Sequence, residues 1–371
     1  MMTPQSEEEL AGMIAGAKGP LSVQGGGTRG FAGAGDVLST AGLGGISLYE
    51  PGALTLVAGA GTPVAKIEAA LAAENQRLAF EPMDHRALLG TSGTPTIGGV
   101  MAANVSGPRR IAVGAARDFA LGVRFVDGAG RIVKNGGRVM KNVTGYDLVK
   151  LMCGSFGTLG VLSEVAMKVL PAPETEASLV IATGVVEQAV AALSRGLGSA
   201  FEVTGAAFLP ERGAVVRVEG FDASVAYRLA ALEEILGGFG GVERLDAGAS
   251  KTLWRDVRDV QPFVGRAGNV WRVSVKPGDA PTVVAALPVS ADYLLDWGGG
   301  LIWVLCAEGT DLRAMIAPLA GHATLVRADA QTRARLGVFQ PEPAALAALT
   351  DGVRARFDPR GVLCPGDMKA A

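Results

Sequence analysis

The stretch from Thr91 to Val165 constrains the fold more than any other part of the chain. Two glycine clusters, Gly98-Gly99 and Gly154 to Gly160, bracket a middle with strand-like patterning, Leu121 to Val126 and Arg131 to Val133, joined by the turn Asp127-Gly128. Neither cluster opens a long amphipathic helix. Glycine admits positive φ and close backbone approach, so this density implies main chain laid against something flat or anionic. Tight turns in an ordinary sheet are the plain alternative. A third cluster upstream, QGGGTRG from Gln24 to Gly30, tips the reading towards a bound cofactor. Glycine supplies 53 of the 371 residues, about twice its ordinary share. It is spread through hydrophobic sequence, which points to many turns rather than disorder.

Gly25, Gly27 and Gly30 formally satisfy G-x-G-x-x-G. The dinucleotide fold that uses this fingerprint needs a helix opening at the third glycine, to seat the pyrophosphate on its N-terminus. Here FAGAGDVLST follows, with no helical periodicity. That fold is therefore rejected and the phosphate reading kept: the loop can act as a nest of main-chain N–H groups, with the Thr28 hydroxyl as a further donor.

The remaining pattern is coarse but ordered. Ser6 to Glu9 reads as a capping box opening a helix from about Glu7 to Ala17, and Leu21–Gln24 reads as a strand. A strand from Ala53 to Ala58 precedes a helix capped by Thr62 with Pro63 first, its stripe Val64, Ile67, Ala70 and Leu71. A short helix from Tyr146 to Met152 would bury Leu148, Leu151 and Met152, with Tyr146 and Asp147 fixing its start. Pro171-Ala172-Pro173 marks a boundary. Beyond it, Ala214 to Val218 and Asn269 to Val275 alternate as strands. Asp222 as N-cap opens a helix with Val225, Leu229, Leu232 and Leu236 inward. Tyr293–Asp296 and Leu301–Cys306 flank Trp297 to Gly300 as a hairpin. A last helix begins near Pro343, with Leu346, Leu349, Val353 and Phe357 on one face.

Charge and chemistry narrow the function. A net charge of −2 argues against binding a phosphate backbone as the main task. No apolar run reaches the ~18 residues of a membrane span, and MMTPQSEEEL lacks the basic-then-apolar layout of a secretory leader. The three cysteines, Cys153, Cys306 and Cys364, are too scattered for a disulfide framework or a cluster site. A reduced, cytoplasmic setting is expected. The only histidines are His85 and His322, which excludes most zinc sites. His85 reads as a loop residue. Chemistry in such a chain falls to a bound organic cofactor.

The order of these motifs resembles the FAD-binding domain of vanillyl-alcohol-oxidase type flavoproteins: QGGGT, AGAGTPVAKIEAAL, TPTIGGVMAANVSG, RDFALGV, NGGRVMKNVTGYDL and GSFGTLGVLSEVAMKVLPAP. GPRR, VMKNVTGYDL, DWGGG and GHAT are similar to segments of the FAD-binding subunits of bacterial glycolate oxidase, and RFDPRGVLCPGDM resembles the superfamily's closing signature. Cys364 stands where that signature has asparagine. The resemblance implies an α+β fold: an FAD-binding domain over 1–172, in subdomains of about 1–82 and 83–172, a cap domain over 173–338, and 339–371 returning to the first domain. It further implies noncovalent FAD held by Val23, Gln24, Gly25, Gly26, Gly27, Thr28 and Arg29 at the pyrophosphate. Thr96, Ile97, Gly98, Gly99, Asn104, Ser106 and Gly107 would run along the ribityl chain and flavin, with Arg117 and Asp118 at a further contact. Gly157, Thr158, Leu159, Gly160, Val161 and Leu162 would lie near the adenine, Val161 offering an apolar face.

The function implied is that of an FAD-binding subunit of a complex oxidising glycolate to glyoxylate. Its partners would be a larger FAD-binding subunit and an iron–sulfur subunit, and the complex could sit peripherally on the inner face of the cytoplasmic membrane. Oxidising a 2-hydroxy acid needs a carboxylate binder and a base or metal. The candidates are Arg109 and Arg110 for the carboxylate, and His322, Tyr146 or Lys141 for the base; no metal site is expected. Two other readings stay open: a self-sufficient 2-hydroxy-acid dehydrogenase, and a scaffold that needs FAD to fold and dock.

Overall fold

The computed structural model describes residues 1–30, 33–138, 145–317 and 319–364. Two compact units result. The first comprises Met1–Ser106, Gly114–Ala172 and the chain from Pro341 onward; the second comprises Gly107–Val113 and Pro173–Gln340.

In the first unit a five-stranded antiparallel sheet runs in the order Ile46–Glu50, Thr55–Gly59, Val161–Lys168, Ala120–Val126, Ile132–Gly136. Leu21–Gln24 pairs in parallel with Asp36–Ser39, outside that sheet. Helix Glu7–Ala15 starts as expected, Ser6 Oγ accepting from Glu9 N at 3.2 Å. Its Leu10 and Ile14 pack with Leu21, Leu38, Val126, Val161 and Leu363 in one apolar cluster. The chain after Pro341 is tied in by the main chain of Leu363 and Cys364 beside Leu21 and by Arg360 Nη1 donating to Ala15 O at 2.9 Å.

The second unit is an eight-stranded sheet in the order Val242–Leu245, Thr175–Ile181, Gly213–Gly220, Gly205–Leu209, Asp292–Asp296, Leu301–Cys306, Asn269–Ser274, His322–Arg327. All pairs with a given register are antiparallel. Side chains alternate across a strand, and the period is visible here. Trp271 and Val273, Ile302 and Val304, and Ala323 and Leu325 join the apolar core under helices Val186–Leu197 and Asp222–Leu236. Val180, Ala207 and Val215 point to the opposite face, where helix Ala247–Arg258 covers them with Leu253, Trp254 and Val257. Together the units give the α+β architecture.

Local details depart from the sequence reading. Thr62 does not cap helix Val64–Ala72, whose N-cap is Pro63. Its hydroxyl instead closes the turn, donating to Gly59 O at 2.7 Å and accepting from Gly45 N at 2.9 Å. Helix Asp222–Leu236 is preceded by Phe221, with Asp222 in the first turn, yet Val225, Leu229, Leu232 and Leu236 are buried. Helix Leu148–Met152 is capped by Asp147 and buries Val149 and Met152, leaving Leu151 exposed. The largest departure is helix Ala344–Phe357, none of which is fully buried: Leu346, Leu349 and Val353 are 49%, 69% and 38% exposed. The half-buried stripe is instead Ala347, Thr350, Arg354 and Phe357, with Phe357 lying 6.2 Å from the Phe125 ring.

Candidate functional site

The first unit gathers its glycine segments around the C-terminal end of strand Leu21–Gln24. A Cβ on Gly26 would lie 1.5 Å from Thr94 O, one on Gly93 1.7 Å from Gly26 O, and one on Gly25 2.4 Å from Thr96 Oγ1. Gly26 and Gly93 let two backbones touch, and Gly25 makes room for the Thr96 side chain. Past them the loop turns outward: Gly27 and Gly30 take φ +70 and +64. Thr91 Oγ1 donates to Thr28 O at 2.8 Å, so that carbonyl faces inward. The main-chain N–H groups of Gly26, Gly27, Thr28 and Arg29 donate to nothing among the described residues. Main-chain donors are normally paired. A run of four without acceptors, next to a cation, is what an anionic pyrophosphate requires. Arg29 supplies the cation. Its Nη2 donates to Gly99 O at 2.5 Å, and burial lowers its pKa to about 10.

The second glycine segment behaves differently. Thr96 caps the short helix Ile97–Ala102. Its N–H groups are used internally, Ile97 donating to Thr62 O, Gly98 to Ala60 O and Gly99 to Thr96 Oγ1. A Cβ on Gly98 would meet Ala60 Cβ at 2.6 Å, whereas one on Gly99 would meet only Thr96 Oγ1, at 3.3 Å. Of this set, Gly99 alone leaves open room beside the loop. Asn104, at φ +50, and Ser106 fold the next turn: Arg117 N donates to Asn104 Oδ1 and Ala116 N to Ser106 Oγ, both at 2.9 Å. Asp118 accepts from Ala115 N at 2.8 Å, and the half-exposed Arg117 and Asp118 side chains pair with each other at 3.8 Å. The side chains of Ser106, Arg117 and Asp118 are therefore spent on the turn.

Gly157, at φ +78, faces Val23 and Cys364, with 3.5 and 3.7 Å between a Cβ there and their side chains. Val23 N donates to Cys364 Sγ at 3.4 Å, so the cysteine keeps a polar contact to the base of the phosphate loop. Cys364 also holds φ +43, a left-handed position that asparagine adopts readily. The Thr158 hydroxyl closes its own turn on Ser155 O at 2.6 Å, and Leu159 is buried. Gly160 fits tightly under Phe125. Val161 and Leu162 are strand residues whose side chains are buried, Val161 in the cluster with Leu21 and Ile14. The apolar face expected of Val161 is thus turned into the core.

The catalytic candidates separate. Tyr146 is 89% exposed, which leaves its phenol in bulk solvent. Lys141, Asn142 and the rest of 139–144 lie outside the described residues. His85 precedes helix Arg86–Leu89 without capping it through its side chain. Among the described residues no group of three His, Cys, Asp or Glu could hold a metal. Burial pushes the Cys153 thiol up to about 12, away from thiolate chemistry.

Adjacent arginines in the second unit have opposite fates. Arg109 is 5% exposed and grips Glu219 bidentately, Nε to Oε2 and Nη2 to Oε1, both at 2.8 Å. It cannot also take a substrate carboxylate. Arg217 lies 3.8 Å from the same Glu219, and burial raises the pKa of neighbouring Glu176, opposed by Arg217. Arg110 instead stacks on the Trp297 ring, Cζ 4.6 Å from its centroid. Gly107 O accepts from Trp297 Nε1 at 3.1 Å, holding the GPRR segment on this unit. The sequence reading missed Arg272, whose Cζ lies 5.1 Å from the same ring. Burial first, then Arg110, lowers the Arg272 pKa to about 10, with Asp296 opposing. His322 retains solvent contact, yet local desolvation, then Arg272 and Arg110, holds its pKa below the ordinary value.

Residues 1–136 match a family model described as an FAD binding domain. The chain is 35% identical over 358 residues to glycolate oxidase subunit GlcE of Escherichia coli, covering 95% of this chain and 93% of that protein. It is 43% identical to glycolate oxidase subunit GlcD of Bacillus subtilis over only 84 residues, 23% of this chain and 18% of that one. A D-lactate dehydrogenase of Archaeoglobus fulgidus is 30% identical over 179 residues, 46% of this chain and 38% of that one. A solved alkyldihydroxyacetonephosphate synthase shares the fold, at 16% identity and a TM-score of 0.71, covering 98% of this chain and 76% of that one.

Proposed function

The chain belongs to the glycolate oxidase GlcE family, and from that membership we propose that it is the FAD-binding subunit of a multi-subunit glycolate oxidase, passing electrons taken from glycolate as glyoxylate forms. It is an FAD-dependent oxidoreductase subunit. Bound flavin supplies the two-electron acceptor chemistry that no side chain provides. The observation that carries the reading is the run of N–H groups from Gly26 to Arg29 with no acceptor among the described residues, beside the Arg29 cation.

The chain's own residues would act as follows. Gly26 to Arg29 hold the pyrophosphate through main-chain donors, and Arg29 adds a charge-assisted contact. Val23, Gly157 and Cys364 form the floor on which that loop rests. Gly99 leaves room for a flat ring or chain to approach. Gln24, Thr96 and Asn104 hold these segments in register. The FAD is noncovalent: the phosphate loop contains no His, Cys or Tyr, so denaturing the protein should release all the yellow colour. Flavin fluorescence remaining on the chain would contradict this.

The partners proposed are a larger FAD-binding subunit and an iron–sulfur subunit that carries electrons onward. No described helix is long and apolar enough to cross a membrane, and attachment to a membrane surface would come through those partners. The test is reconstitution. Glycolate-dependent dye reduction should require this chain in its FAD-loaded form together with the partners. Full turnover from the partners without this chain would overturn the proposal.

A further inference from the structure

Helix Ala344–Phe357 carries two stripes. The half-buried one, Ala347, Thr350, Arg354 and Phe357, holds it to the first unit, where Phe357 meets Phe125. At 3.6 residues per turn, Ala345, Leu346, Leu349, Gly352, Val353 and Arg356 fall along another side, and all six are exposed. A helix held by one stripe ordinarily turns polar and charged residues to water over the rest of its surface. Here the outer side instead shows two leucines and a valine, between Glu342 just before the helix and Arg356 in its last turn. Both charged residues are exposed, and neither side chain forms an ion pair among the described residues. A contiguous apolar strip rimmed by charge marks a contact surface.

The order of residues along this side says what fits it. Reversed about Leu349, the segment complements itself. Leu346 falls opposite Gly352, Val353 opposite Ala345, Arg356 opposite Glu342, and Leu349 opposite Leu349. Large side chains meet small ones, which lets two helices interdigitate. An acid meets a base at each end. In a two-fold contact residue i meets residue j while j meets i, and this pattern has that reciprocity. Parallel pairing would set Glu342 on Glu342 and Arg356 on Arg356, and like charges placed together repel.

We propose that this side of the helix is a docking surface for a second copy of the chain, the two helices packing antiparallel about a two-fold axis at Leu349. One helix pair is smaller than the roughly 1,600 Å² of a standard stable interface, so the dimer is weak and forms only at high concentration.

The test is sedimentation equilibrium of the full-length, FAD-loaded chain, which should show a reversible monomer–dimer equilibrium as concentration rises to about 0.5 mM. Leu349→Asp should raise the dissociation constant about tenfold or more, because its charge would be buried at the axis. The same variant should leave the melting temperature of the dilute chain unchanged, Leu349 being exposed. Glu342→Arg and Arg356→Glu should each weaken the dimer about threefold or more, since two symmetry-related pairs are lost. The double variant, with the charges exchanged, should recover most of the loss. Leu349→Cys should give a disulfide-linked dimer under mild oxidation, because a residue on the axis lies near its own copy. Ala355→Cys, on a side of the helix that the axis does not reach, should not, and the native cysteines are buried. A chain that stays monomeric throughout would overturn the second copy as the occupant. A dimer unaffected by Leu349→Asp would place the contact on another surface and overturn this one. A double variant weaker than either single variant would overturn the antiparallel register.

Discussion

Two glycine segments of the first unit, Gly25 to Gly30 and Ile97 to Gly99, look alike in sequence and do different work. In both, one glycine is required because another backbone passes close by, Thr94 at Gly26 and Ala60 at Gly98. In the second segment the N–H groups end on Thr62, Ala60 and Thr96. In the first, four in succession have no acceptor among the described residues. Glycine therefore marks close approach in both places, but the donor accounting favours the first loop as the ligand cradle. The missing side chain of Gly26 serves the fold, and the pyrophosphate would be served by the N–H groups from Gly26 to Arg29.

Substitutions can break this contrast, and the largest effect is expected at Gly26. A valine there would place Cβ 1.5 Å from Thr94 O. Gly26→Val should destabilise the FAD-free chain by about 3 kcal/mol or more, the upper range of overpacking, and lose FAD as a consequence. An apoprotein that melts normally would show that the Thr94 contact does not explain this glycine. Gly98→Ala comes next. Overlap with Ala60 should cost about 1–3 kcal/mol, exceeding the roughly 0.5–1 kcal/mol that helix propensity returns. The loss should be the same with and without FAD. Arg29→Ala should show the reverse profile, with little change in apoprotein melting and FAD affinity reduced about tenfold or more. Gly99→Ala should be mildest for folding, within about 1 kcal/mol, because propensity gained offsets slight crowding by Thr96. A measurable loss of FAD affinity in that variant would place the ligand beside Gly99.

Much of the scaffold was legible because it rests on local rules. The strand Leu21–Gln24, the hairpin around Trp297, and the helix burying Val225, Leu229, Leu232 and Leu236 all follow from periodicity and turn chemistry. The stripe on helix Ala344–Phe357 was equally periodic, yet the described chain leaves Leu346 and Leu349 exposed. Periodicity says that a face is apolar, not what covers it. Arg109 and Arg110 were indistinguishable in sequence. Their fates depend on Glu219 and Trp297, 110 and 187 residues further on. Arg272 carried no signal at all, being one polar residue in an alternating strand, and only the register with Thr324 and Trp303 sets it beside Trp297 and His322. Val161 was read for its apolar side chain, which the sheet alternation turns into the core.

The most direct test of the central claim compares FAD with riboflavin, which carries the same ring but no pyrophosphate. Titrations of the FAD-free chain, followed by quenching of flavin fluorescence, would give both affinities for wild type and Arg29→Ala. The account predicts that wild type binds FAD far more tightly than riboflavin, and that Arg29→Ala narrows the gap by weakening FAD alone. Riboflavin binding as tightly as FAD, or a gap that Arg29→Ala leaves intact, would contradict the assignment of Gly26 to Arg29 as the pyrophosphate cradle.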